Sequence, residues 1–107
     1  MYVTVEFSGI GRAITGVTQV NVSADKGTTY NGIINLLSTS YPGLIGVIIN
    51  ADGTELLNSN VIILNGDELI LPDRMDDIVQ EGSRLTLLSV IVGGDMNLSD
   101  SLDCDNI

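Results

Sequence analysis

Histidine is absent from this sequence, and cysteine occurs once, at Cys104 close to the last residue. Nucleophile–base pairs and zinc sites draw on those two residue types, so residues 1–94 offer neither of the usual sets and no metal site is expected. A lone cysteine forms no internal disulfide, and nothing here resembles a secreted disulfide scaffold. Cys104 lies between Asp103 and Asp105, whose charges disfavour a thiolate and argue against a reactive thiol. Cations are scarce too: Arg12, Lys26, Arg74 and Arg84 face 14 acids, a net charge of −10. Such a surface repels phosphate backbones and anionic lipid, so neither nucleic acid nor membrane is expected as a partner, and a basic protein surface is the natural complement. Aromatic residues make up 4% of the chain against 44% hydrophobic, so the core must be built from Ile, Leu and Val. No apolar run approaches the ~20 residues that span a bilayer. No charged n-region and apolar h-region precede the first alternating stretch, so a soluble cytoplasmic protein is expected.

What remains is a chain of 107 residues, enough for one compact domain. Val3, Val5 and Phe7 alternate with Thr4 and Glu6, as in a half-buried strand. Ser8 to Arg12 reads as a turn, and Val17 to Val22 as a second strand closing a hairpin. Thr28 or Thr29 can cap a helix over 28–40 whose apolar stripe is Tyr30, Ile33, Ile34, Leu37 and Tyr41. Gly32 inside that helix costs about 1 kcal/mol of propensity, so packing must hold it, and Tyr41-Pro42 stops it. Val47-Ile48-Ile49 fits either a short strand or a last helical turn. Val61 to Leu64 reads as a buried strand, Asn65-Gly66 as a tight turn, and Glu68 to Leu71 as a short partner that Pro72 keeps at an edge or ends. Met75, Ile78 and Val79 should dock a short turn. Asp73, Asp76 and Asp77 read as a solvated turn in preference to a cation site. The expected core is Val3, Val5, Phe7, Val20, Ile33, Ile34, Leu37, Ile63, Leu85 and Leu87.

The closing stretch carries the functional signal. Glu81-Gly82 turns the chain into an aliphatic run, Leu85 to Val92, that ends at Gly93-Gly94. Thirteen polar, acidic residues follow, Asp95 to Ile107. The expected organisation is a domain over 1–94 and a flexible acidic tail over 95–107, whose few apolar side chains cannot offset its ordering entropy. Leu88, Val90 and Val92 share one strand face, available either for docking a partner or for core burial.

In the order of its elements the sequence resembles the MoaD/ThiS sulfur-carrier family, which includes the small archaeal ubiquitin-like modifiers. The likeness covers nearly all of residues 1–94. Phe7-Ser8-Gly9-Ile10-Gly11-Arg12 stands where the family has an aromatic, small residues and a Leu-Arg. Thr28/Thr29 opens the helix, Asp52-Gly53 precedes the central strand, Leu64-Asn65-Gly66 resembles a Val-Asn-Gly turn, and Glu81 to Gly94 matches the closing segment in length. Two features depart from it. Ser89-Val90-Ile91-Val92 replaces the frequent Pro-x-Val-Ala before the glycines, and the chain continues past the second glycine, where mature family members end.

The resemblance implies an α+β ubiquitin-like β-grasp fold, a mixed sheet of four or five strands on one main helix. It also implies a protein substrate, needing no cofactor of its own, in place of an enzyme. Gly93 and Gly94 would form the C-terminal activation motif. Leu88, Val90 and Val92 would dock an adenylating activating enzyme, and a tail-removing peptidase would cut between Gly94 and Asp95. Sulfur donor and acceptor enzymes would complete the partner set, in molybdopterin, thiamine or amino-acid biosynthesis. A modifier forming isopeptides, and a β-grasp interaction module whose Gly94 is never activated, are the alternative functions.

Overall fold

The structure, a computed structural model, describes residues 1–57 and 59–89. Five strands form one sheet in the order β2-β1-β5-β3-β4: β1 Tyr2–Phe7, β2 Gln19–Ser23, β3 Asn60–Leu64, β4 Glu68–Ile70 and β5 Arg84–Ser89. β5 lies at the centre, parallel to β1 and antiparallel to β3, while β1–β2 and β3–β4 are antiparallel pairs. A six-residue helix, α1 (Ile10–Thr15), links β1 to β2, and the main helix, α2 (Tyr30–Ser40), precedes a single 3₁₀ turn at Pro42–Leu44.

The periodicities explain this layout. Val3, Val5, Phe7, Leu85, Leu87, Ile62 and Ile70 point to one sheet face, where Tyr30, Ile33, Ile34 and Leu37 of α2 meet them in one buried cluster. Phe7 and Tyr41 supply the aromatic contact, edge to face at 5.8 Å between ring centres. Val20 belongs to an edge strand and is only half-buried at the rim of the cluster.

Thr29 is the residue that caps α2: its hydroxyl accepts the Gly32 N–H at 3.1 Å. Gly32 is explained by close approach, since a Cβ there would stand 2.7 Å from the Thr28 methyl. Thr28 has little freedom to yield. Its hydroxyl donates to the Asp25 carbonyl at 2.6 Å and its carbonyl accepts the Val79 N–H at 2.9 Å. Thr29→Ala is expected to cost about 1 kcal/mol, measured as a lower urea midpoint with an unchanged slope.

Besides Val20, which is expected in the core and lies at its rim, the structure corrects four readings. Ser8 to Arg12 is not a simple turn, because α1 begins at Ile10. Ile14 packs against the core, Gly11 is buried, and Gly16 at φ 76° closes the helix by donating to the Arg12 carbonyl at 2.8 Å. Ile63 is not core: Ile62 is the fully buried residue of β3, and Ile63 lies half-buried on the opposite face. Ile78 does not dock with Met75 and Val79 but is exposed. Val47 to Ile49 is neither strand nor helix. It is an irregular segment in which Ile48 and Ile49 are buried and Ile49 bridges Ile45 and Leu56. The Asn65-Gly66 turn forms as expected, with φ of 53° and 82° and the Asp67 N–H donating to the Leu64 carbonyl at 3.1 Å. The Tyr30 hydroxyl lies above its ordinary range through burial, with Arg74 opposing and Glu68 and Asp77 reinforcing the shift.

Candidate functional site

β5 leads to the sequence that the resemblance singles out. It is paired on both sides: the β1 ladder holds it from Arg84 to Leu87, and the β3 ladder continues to Ser89, which sits opposite Asn60 and donates its hydroxyl to the Asn60 Oδ1 at 2.8 Å. On the other flank the Ser8 hydroxyl donates to the Leu87 carbonyl at 3.2 Å. Gly93, Gly94, Val90, Val92 and Asp95 lie outside the described residues, as does the whole of 95–107.

Leu88 is described, and the structure decides its face. Leu85 and Leu87 enter the core, so Leu88 lies on the face away from α2 and is 39% exposed. Register builds a patch around it. Val61 is its partner across β3, Ile63 is the partner of Thr86, and Leu69 is the partner of Ile63. Leu88, Val61, Ile63 and Leu69 therefore form a continuous apolar strip crossing three strands of the open face, with Leu69 46% exposed. Sequence assigns none of Val61, Ile63 and Leu69 to an exposed patch and places Ile63 in the core. Their alternation is hidden because Val61 to Leu64 is apolar at every position.

The strip has a polar border. The Thr86 hydroxyl donates to the Glu6 Oε1 at 2.9 Å, and Arg84 pairs with Glu6 at 3.6 Å. Beyond Leu69, Arg74 pairs with Glu68 and, at 3.3 Å, with Asp77. Asp77 and Asp76 are thus engaged, the latter accepting from the Asn31 amide at 3.4 Å. No group of acidic or cysteine side chains among the described residues is arranged to hold a metal ion. A cleft of about 320 Å³ is lined by Asn31, Leu57, Asn60, Val61, Ile70 and Met75 among others. Its lining has amides, apolar groups, the Ser59 hydroxyl and the carboxylates of Glu55 and Asp76. Among the described residues no helix is long and apolar enough to cross a membrane.

The described residues thus combine a central strand paired on both sides with an exposed apolar strip across the open face of the sheet. No protein-family profile matches this sequence, and no curated protein matches it. Solved structures do. The small archaeal modifier protein SAMP1 from Haloferax volcanii superposes with a TM-score of 0.73 at 20% identity, covering 88% of this chain and 100% of that one. A chain in the BexX/CysO complex from Amycolatopsis orientalis gives 0.64 at 26% identity, covering 86% of this chain and 99% of that one. A putative molybdopterin converting factor subunit 1 from Pyrococcus furiosus gives 0.64 at 15% identity, covering 85% and 99%. The chain has the ubiquitin-like β-grasp fold, and its structural neighbours are ubiquitin-like sulfur-carrier and modifier proteins.

Proposed function

We propose that this chain is a ubiquitin-like sulfur carrier made as a precursor, with Gly94 as its acyl group. The observation that carries the proposal is the central, doubly paired β5 running toward Gly93-Gly94 with an exposed apolar strip alongside. A peptidase removes Asp95 to Ile107. The freed Gly94 carboxylate attacks the α-phosphorus of ATP in an activating enzyme, and pyrophosphate leaves. Hydrosulfide released by a donor enzyme then attacks the acyl carbon, AMP leaves, and a thiocarboxylate remains for an acceptor enzyme in cofactor or amino-acid biosynthesis. Adenylation is needed because a carboxylate's negative charge repels nucleophiles and it has no good leaving group. The carrier contributes reach and shape, and glycines without Cβ let the end thread beside a nucleotide.

Leu88, Val61, Ile63 and Leu69 supply the dock for the activating enzyme, extended by Val90 and Val92, and the acidic surface favours a basic groove there. Leu88→Asp should weaken binding at least tenfold, about 1.4 kcal/mol, because the contact loses a buried leucine and gains an uncompensated charge. Its urea melt should move by less than about 0.5 kcal/mol, since the site is on the surface. Isothermal titration with the enzyme beside the melt checks both numbers.

The isopeptide-forming modifier differs only in the nucleophile that attacks the adenylate. Lys26 is the single lysine of the chain, so chains of the modifier on itself would have one acceptor, which favours sulfur carriage. The deciding experiment is mass spectrometry of the protein isolated from its own cells. A species ending at Gly94 with one carboxylate oxygen exchanged for sulfur is expected. Gly94 joined to a lysine amine would establish the modifier instead. Only the intact chain, in cells that hold an activating enzyme, would overturn both and leave a non-covalent interaction module.

A further inference from the structure

The two edges of the sheet are built differently. β4 has three residues, begins at Glu68 in an ion pair with Arg74, and is followed within two residues by Pro72. Short length, charge and proline are the usual means by which an edge avoids pairing with another chain. β2 has none of them: Gln19-Val20-Asn21-Val22-Ser23 is charge-free and lacks proline and glycine. Its backbone is open. Phe7 N–H donates to the Thr18 carbonyl and Ala24 N–H to the Met1 carbonyl, which directs the even-numbered residues of this stretch to β1. The N–H and C=O groups of Gln19, Asn21 and Ser23 therefore point outward, and no partner for them is present among the described residues. The flank beside the edge is also neutral, since α2 carries no charged side chain over its eleven residues. A groove of about 170 Å³ separates the two, lined by Val20, Val22, Leu36, Leu37 and Tyr41 among others.

We propose that β2 pairs with β2 of a second copy of this chain, antiparallel and centred on Asn21, joining two sheets about a two-fold axis. The occupant follows from charge and pattern. At a net charge of −10, two copies repel over most approaches, and this flank lets them meet with no like charges opposed. The strand is self-complementary about Asn21. A two-fold pairing sets Asn21 against Asn21 as a hydrogen-bonded pair and Gln19 against Ser23 as another. Val20 then meets Val22 in the intervening non-hydrogen-bonded pairs, whose side chains approach more closely. Those valines lie on the α2 side of the sheet, half-buried at the groove, and the pairing covers them from both copies. The contact has a distinguishing salt response. Added salt screens the residual long-range repulsion and tightens self-pairing, whereas it loosens docking between an acidic and a basic surface.

Sedimentation equilibrium of the full chain, over a concentration series at low and high salt, tests this. The mass should move from one chain to two, at lower protein concentration when salt is high. Asn21→Pro removes an outward N–H that β1 does not use. It should remain one chain throughout while keeping its circular dichroism spectrum. Asn21→Asp and Asn21→Lys oppose like charges across the axis and should each self-associate more weakly, while their equimolar mixture should recover the two-chain mass. That recovery requires residue 21 to face itself, and it decides the matter even where the proline variant fails to fold. A wild-type chain that stays single at every concentration, a two-chain species unaffected by these substitutions, or one that salt dissociates would each overturn the proposal.

Discussion

A chain ended at Gly94 is expected to release pyrophosphate from ATP in the presence of its activating enzyme, while the full 107-residue chain releases none. The difference is chemical and should approach all-or-none. In the full chain the Gly94 carbonyl is an amide to Asp95, with no free carboxylate oxygen to attack the α-phosphorus. Binding itself need not fail, because the apolar strip on β3, β4 and β5 that we propose as the dock is the same in both forms, so the full chain should compete with the shortened one. Gly94→Pro in the shortened chain should also lose activity. Proline restricts φ to about −65°, which a narrow channel fitted to glycine has no reason to accept. Pyrophosphate release measured for the three proteins separates the cases. Equal release from full and shortened chains would remove Gly94 as the acyl group, and release from none would leave binding without activation.

Ile34→Ala and Leu37→Ala should each cost about 2–5 kcal/mol, against the roughly 5–15 kcal/mol that holds a typical domain. Both side chains are essentially without solvent exposure, at 0% and 1%, and face the sheet from the centre of α2. Adjacent residues of β3 give an internal control. Ile62→Ala, at a fully buried position in register with Leu87 and Ile70, should fall in the same range. Ile63→Ala, on the open face, should cost clearly less. Urea melts of the four variants check this. A loss at Ile63 equal to that at Ile62 would mean that the open face is covered in the protein as it stands in solution.

That pair of isoleucines marks where sequence stops determining the structure. Alternation is legible wherever polar residues interrupt the apolar ones, as in Val3-Thr4-Val5-Glu6-Phe7 and at Leu85-Thr86-Leu87, and there the buried face follows from the chain alone. The stripe of α2, a threonine cap at Thr28 or Thr29, the Asn65-Gly66 turn and the short strand before Pro72 are equally local, because each depends on side chains within a few residues. Val61 to Leu64 is apolar at every position, so its inward face is set by pairing. Leu87 and Ile70 flank Ile62 and draw it into the core, leaving Val61 and Ile63 to join Leu88 and Leu69 outside. α1 depends on distant packing as well, since Gly11 fits only against Phe7 and the Ile48 side chain that approaches from beyond α2. Sequence by itself determined the five strands, the main helix, their order and the Gly93-Gly94 that ends the aliphatic run. Tertiary structure decided which faces are exposed, because exposure depends on contacts between residues far apart in the chain.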